Sequence, residues 1–428
     1  MMDQKSDSYE SITNELGWKE NFLLLCRLLA NVRAENELLE EFSGLSSQDW
    51  EQFWKISRIH SVTEILYTRI KVDSIERYFP YEVLDRFRQF VYRSTIKNSY
   101  LVQTGKEVIQ TLLAEGIDTL ALKGFFLQKA VYAKDEIRPM NDIDLLVRRG
   151  DIPKAIEILG QLGFRILSHF DPDFDYEDIK HVPPMENEYG QLLELHWNLL
   201  EENEPFSINM GQVWEQKACF SDGLWGLSVE HLIVHLAIHG TYQHFLRLGL
   251  RSLLDLSRVF DKFGDSVQWE QVVSTAKAWH AEKSLWISLK LAEKYLSVAL
   301  PEDAMLSIEP QNGEEMLVRA SLLTETLRPS QTLLSPDLIE LSKEKDFSSR
   351  SNRILKRIFI PKMQLARLYN IDPKSFGIYP AYIRRIVDLL KQYRKAYKKI
   401  DARSDEVSNE VNVYEEQIAL HDWLGLSD

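Results

Sequence analysis

The sequence predicts an α+β protein: a small sheet-bearing core, residues 114–205, between N-terminal and C-terminal helical regions. Three observations predict it. Apolar residues recur at helical spacing up to residue 113, as in Phe53, Ile56, Ile59, Val62, Ile65 and Leu66. Between Ile117 and Trp197 that spacing gives way to short apolar runs bounded by turn residues. Beyond Ser228 helical spacing returns and persists to Lys399, interrupted near Pro301 and from Pro310 to Gly313.

Taken in order, residues 1–113 read as helices, one of them starting after Pro80, where proline's fixed φ suits a first turn. Gly116 stops that helix and IDTLAL (Ile117 to Leu122) follows as a strand. A helix is expected from Phe125 to Ala133 and a turn at Arg138-Pro139. IDLLV (Ile143 to Val147) is the second strand, and Asp151 is expected to cap a helix reaching Leu162. After Gly163, FRILSHF reads as a third strand, followed by an acidic stretch from Asp171. IKHVPPM and QLLELHW form a candidate hairpin joined by ENEYG, with Pro183 and Pro184 demoting the first arm to an edge. The rest divides into a helical domain at 206–302, a basic helical region at 303–400 and a tail at 401–428, in which Trp423 and Leu424 are placed to dock. No internal repeat is present.

Composition narrows the class. An apolar fraction of 44% and a charged fraction of 27% are ordinary for a globular protein. The N-terminus MMDQKSDSYE lacks a basic region followed by an apolar run, and no segment approaches the ~20 apolar residues needed to span a bilayer. The two cysteines, Cys26 and Cys219, have apolar neighbours and are expected as buried small hydrophobes, which fits a reducing, cytoplasmic setting. A net charge of −14 opposes broad capture of nucleic acid. The charge is uneven, with 16 Lys/Arg against four Asp/Glu from Lys343 to Lys399. That run reads either as solvated faces of amphipathic helices or as a polyanion site.

The chemistry concentrates in RPMNDIDLLV. Alternation on a strand turns Asp142, Asp144 and Leu146 to one face and Ile143, Leu145 and Val147 to the other. Two carboxylates side by side repel, so removing either should relieve strain, and a bound divalent cation is the usual remedy. Alone, the pair also fits an exposed strand face. In QLLELHW, Leu193, Leu195 and Trp197 form an apolar face opposite Glu194 and His196, so Glu194 becomes a third acid on a core-anchored strand. Three such acids suit paired Mg²⁺ (or Mn²⁺) ions and phosphoryl or nucleotidyl transfer. Lys123 and Gly124 fall where a strand turns into a helix, a place that favours a phosphate. Arg138, four residues before Asp142, offers a bidentate fork for a triphosphate.

Together ALKG, RPMNDIDLLV and LLELHW resemble the uncharacterised nucleotidyltransferase family of the DNA polymerase beta-like superfamily, most specifically from Leu120 to Trp197. The resemblance implies a mixed sheet and an enzyme that moves a nucleoside monophosphate from an NTP, such as ATP, to an acceptor hydroxyl by a two-metal mechanism. It implies Asp142 and Asp144 as the metal-binding pair and Glu194 as third ligand. Lys123-Gly124 stands where the wider superfamily has Gly-Ser or Gly-Gly. The resemblance extends to a His-rich helix and to Leu253-Leu254-Asp255, which places His239, with His196, at an acceptor cleft.

Of ten histidines, His231, His235, His239 and His244 lie within fourteen residues, the first three spaced i, i+4, i+8 along one helical stripe. With no third ligand nearby and Leu232, Val234, Leu236 and Ile238 between them, packing or cleft roles fit better than a zinc site. There is no GxxxxGK[ST] and no GxGxxG, which sets aside P-loop kinases and dinucleotide enzymes. Two rivals remain: a non-catalytic nucleotide- or partner-binding regulator on the same fold, and a nucleic-acid-modifying transferase using the basic run. The acidic body favours a small molecule, peptide or protein as acceptor over nucleic acid.

Overall fold

The computed structural model describes residues 17–30, 36–168, 179–220, 223–327, 358–360, 362–372, 374–400 and 404–425. The acidic stretch from Asp171 and the first part of the basic run, Lys343 to Arg357, lie outside the described residues. The strand-like runs between residues 117 and 197 become one five-stranded sheet. Its members are β1 (Thr119–Ala121), β2 (Asp142–Val147), β3 (Arg165–Ile166), β4 (Met185–Glu186) and β5 (Leu192–His196). The spatial order is β1-β2-β5-β4-β3, with β2 and β5 parallel and the other neighbours antiparallel. The α+β class, a mixed sheet with helical regions at both ends, is therefore the one observed.

Local differences from the sequence expectation have physical reasons. Of FRILSHF, Arg165–Ile166 is the paired strand among the described residues; His169 and Phe170 lie outside them. The β4–β5 hairpin forms, its turn closed by Asn187 Oδ1, which accepts the Tyr189 and Gln191 amides at 3.1 and 3.0 Å. Its first arm, however, is not an edge. Pro183 and Pro184 lack donors but keep their carbonyls, and Pro184 O accepts from the Leu167 amide at 2.9 Å, so β4 lies between β5 and β3. Asp151 precedes the helix Ile152–Gln161 but makes no capping hydrogen bond, a 3₁₀ turn and Pro153 starting that helix instead. The helix expected from Phe125 begins earlier, at Lys123, and ends at Ala130.

β2 is buried throughout its apolar length, Leu146 included, with the helices Tyr81–Ala114 and Lys123–Ala130 packed against it. The 34-residue helix Tyr81–Ala114 passes close over Phe125 because Gly105 has no side chain; a Cβ there would meet the Phe125 ring at 2.4 Å. One contiguous apolar cluster runs from Trp18 through the sheet to Trp423 and Leu424, so the tail docks as expected. Trp18 Nε1 donates to Glu325 O at 3.1 Å and Trp423 Nε1 to Gln311 O at 3.2 Å, tying both ends to the C-terminal helices. A small separate cluster, Leu365, Ala366, Ile378 and Ala381, joins the helices Lys362–Tyr369 and Ile378–Ile400. Cys26 is buried, but Cys219 is exposed: it lies on a two-residue strand at the outside of a separate two-stranded ribbon. Among the described residues no helix is long and apolar enough to cross a membrane.

Candidate active site

Parallel pairing of β2 with β5 aligns Asp144 with Glu194, Asp142 with Leu192 and Leu146 with His196. Aligned residues on parallel strands share a face, so Asp142, Asp144, Glu194 and His196 converge on one side of the sheet centre. The four residues expected on that face are thus brought together. Asp144 is almost fully buried, whereas Asp142 and Glu194 are half-buried.

The neighbour that closes the group is Lys123. β1 runs antiparallel to β2, and the Leu122 amide donates to Asp144 O at 3.0 Å. The next residue, Lys123, then takes a left-handed backbone conformation with φ +43°, uncommon for a side-chain-bearing residue, which turns its ammonium back over the acids. Lys123 Nζ lies 2.7 Å from Asp144 Oδ1, 3.8 Å from Glu194 Oε2 and 3.5 Å from His196 Nε2. His196 Nε2 lies 3.1 Å from Asp144 Oδ1 and 3.4 Å from Glu194 Oε2. The lysine expected to face outer phosphates therefore rests on the carboxylates.

This geometry splits the acids electrostatically. Burial would raise Asp144, but the Lys123 ammonium and the His196 hydrogen bond hold it well below the usual carboxylate range. Glu194 is likewise drawn down against its burial, chiefly by His196. Asp142 makes no hydrogen bond or ion pair among the described residues, and burial followed by the charges of Asp144 and Glu194 pushes its carboxyl up to about 6.

Arg138 is placed differently from its expected role. Its Nε and Nη2 each donate to Asp255 at 2.7 Å, Tyr132 adds a third hydrogen bond to Asp255 at 2.8 Å, and the ion pair is buried. The fork expected for a triphosphate is closed on a carboxylate of the helix Leu250–Phe263. Gly124 is part of the same arrangement: a Cβ there would sit 2.8 Å from Arg138 Nη1. Because Asp255 holds Arg138 in place, Gly124→Ala is expected to cost about 1–3 kcal/mol in urea unfolding. Gly160→Ala, where a Cβ meets nothing within 4 Å in the helix Ile152–Gln161, should instead gain about 0.5–1 kcal/mol.

His235, His239 and His244 feel the charge of Lys123, whereas His231 stacks on Trp279. His231 and His235 lie in the helix Val229–Ile238, and His239, whose amide still donates to His235 O, starts a π-helical turn, His239–Gln243. The His239 ring stacks 6.0 Å from His235 and meets His244 edge-on at 4.3 Å. Burial, then the Lys123 and Lys180 charges, lowers His235 to about 3 and His244 to about 4. The unfolded chain takes up protons near pH ~6.5 that the folded chain refuses, so stability is complete above that pH and lost as pH falls toward 4. Each histidine should contribute a slope of up to about 1.4 kcal/mol per pH unit in that window. His235, whose two ring nitrogens lack partners among the described residues, provides the check: His235→Leu should flatten the acid limb of a melting-temperature profile.

Two cations near the site carry no motif in the sequence. Lys180, whose carbonyl accepts the Trp197 amide at 3.0 Å, is half-buried, and its ammonium is lowered by burial and then by Lys123. Arg251 stands one helical turn before Asp255; its Nε is buried without a partner among the described residues, and burial, then the Arg138 charge, lowers its guanidinium against the pull of Asp255. The i, i+4 spacing of Arg251 and Asp255 was the only sequence signal, and it acquires meaning once Asp255 is known to hold Arg138.

As a donor set, one atom each from Asp144, Glu194 and His196 lies within 4.8 Å of the others; Asp142, two residues before Asp144 on β2, is outside that trio. Carboxylate oxygens fit Mg²⁺ or Mn²⁺, and the imidazole tilts the set toward Mn²⁺. Over residues 46–297, more than half its length, the chain matches the family model described as an uncharacterised nucleotidyltransferase. The match runs from the capping serine of the helix Ser47–Ile59 to the end of the helix Glu282–Leu296 and includes every residue of the acidic site. No curated protein and no solved structure matches the chain.

Proposed function

The chain belongs to the uncharacterised nucleotidyltransferase family, and on that premise we propose that it transfers a nucleoside monophosphate from an NTP to a hydroxyl of a small molecule, peptide or protein. The observation that carries this reading is the alignment of Asp144 with Glu194 on adjacent parallel strands, with Asp142 beside them. The acceptor oxygen attacks the α-phosphorus, its proton passes through the site carboxylates to solvent, and the bond from the α-phosphorus to the leaving pyrophosphate breaks. A bound divalent ion supplies charge neutralisation at the phosphates and favours the ionised acceptor.

The remaining work falls to the chain's own residues. Asp142 and Asp144 would hold the ion, with Glu194 beside them, and β2 and β5 fix the spacing of the three acids in advance, so little reorganisation accompanies reaction. Lys123 and Gly124 border the donor phosphates at the strand-to-helix turn. Arg138 orients this turn through Asp255, leaving Arg251 and Lys180 as half-buried cations available to the β- and γ-phosphates. His239 and His244 line the acceptor side.

Incubation with each NTP, Mg²⁺ or Mn²⁺ and candidate acceptors, followed by mass spectrometry for monophosphate adducts, tests the reading. Glu194→Gln should keep NTP affinity within severalfold while turnover falls a hundredfold or more, about 2.7 kcal/mol in the transition state alone. The contact of Lys123 with Asp144 favours one alternative, a regulator that binds a nucleotide without turning it over. NTP binding with no adduct on any acceptor, in wild type and variant alike, would decide for the regulator.

A further inference from the structure

Three acids converge on the sheet, yet their surroundings are unequal. Around Asp144 Oδ1, Glu194 Oε2 and His196 Nε2 a positive group is already in place: Lys123 Nζ, at 2.7, 3.8 and 3.5 Å from the three atoms. These residues form the described cluster able to hold a metal, so the ammonium stands where a cation touching all three would stand. An ion there would sit against Nζ, and two cations in contact inside a buried site repel strongly.

The position of the ammonium is built in by the backbone. The Leu122 amide is bonded to Asp144 O, and the left-handed turn at Lys123 directs a largely buried side chain onto the acids. Asp142 has no such neighbour: it makes no hydrogen bond or ion pair among the described residues. Counting Asp142, Asp144 and Glu194 as ionised against Lys123 leaves two negative charges, which one divalent ion balances.

Resting on the transferase reading, we propose that Lys123 is the second cation of this site: the protein takes one divalent ion, held by Asp142 and Asp144, and supplies the charge at the Asp144–Glu194 position from its own chain. Lysine at the strand-to-helix turn then has a function of its own. It offsets one of the two charges of Asp144 and Glu194 permanently and leaves a single exchangeable ion, which enters with the nucleotide.

Mn²⁺ titration followed by electron paramagnetic resonance, with and without a non-hydrolysable α,β-methylene ATP analogue, counts the ions directly. Wild type should bind one Mn²⁺ per chain with no spin coupling. Lys123→Gln and Lys123→Met should admit a second, spin-coupled ion at least tenfold more tightly than wild type, and Mn²⁺ alone should raise their melting temperatures more than that of wild type. Two coupled ions in wild type would overturn this proposal and leave the transferase reading standing, a result that needs no variant to fold. One ion in wild type and still one in both variants would also overturn it. No bound Mn²⁺ in any form, with or without the analogue, would remove both readings.

Discussion

Asp144→Asn is expected to destabilise the metal-free protein by about 3–5 kcal/mol, whereas Asp142→Asn, two residues away, should leave it equally stable or slightly more so. From the strand pattern alone, removing either acid should relieve repulsion. The structure separates them. Asp144 Oδ1 receives Lys123 Nζ and His196 Nε2 in a site where the Asp144 side chain is 3% exposed and that of Lys123 13%. Asparagine there leaves a buried ammonium without its counter-charge. Asp142 instead gains no partner on ionising, and its raised carboxyl value marks the charge as unfavourable in the folded state. Urea unfolding of both variants in EDTA, at pH 7, measures the difference directly. Equal losses in the two would mean that Lys123 does not rest on Asp144. Both variants should nevertheless lose most metal-dependent NTP affinity, at least tenfold or ~1.4 kcal/mol, so stability and ligand binding respond to different acids.

The second large effect lies away from the acids, at Asp255. Asp255→Ala should cost about 3–5 kcal/mol, because it strands the Arg138 guanidinium and the Tyr132 hydroxyl in a buried position. The two partners are 117 residues apart, and their ion pair joins the segment that precedes β2 to the helix Leu250–Phe263. Arg138→Met should cost a similar amount, since it leaves the Asp255 charge buried with Tyr132 as its remaining hydrogen-bond partner among the described residues. A double replacement, Arg138→Met with Asp255→Leu, should recover much of either loss, as replacing a whole buried pair by apolar groups commonly does. A double-mutant cycle in urea supplies the coupling energy. Single losses below ~1 kcal/mol, the range of exposed pairs, would show that the pair is not held as described. In the folded protein NTP affinity should change little in Arg138→Met, which separates a positioning arginine from one that binds phosphate.

Much of this was legible in the chain because it depends on local pattern. Period-two alternation in DIDLLV and LLELH was enough to turn three acids to the opposite side from Ile143, Leu145, Leu193 and Leu195, and the structure keeps that division. Helical spacing at both ends and the docking tail followed from where apolar residues recur. What the sequence could not supply was partner choice across long separations. Arg138 carries the same fork whether it meets a phosphate or Asp255, and only the packing of the Leu250–Phe263 helix against the turn before β2 decides between them. Cys219 has apolar neighbours in the chain but lies on an outer ribbon, because burial belongs to the sheet a strand joins. Lys123 is the sharpest case. Its place at the end of β1 was readable, but its direction was set by a left-handed φ and by the backbone bond from Leu122 to Asp144. A charged side chain carries no pattern that says which counter-charge it will meet; the sequence determined the acids and their face, and the tertiary structure decided which of them already has its cation.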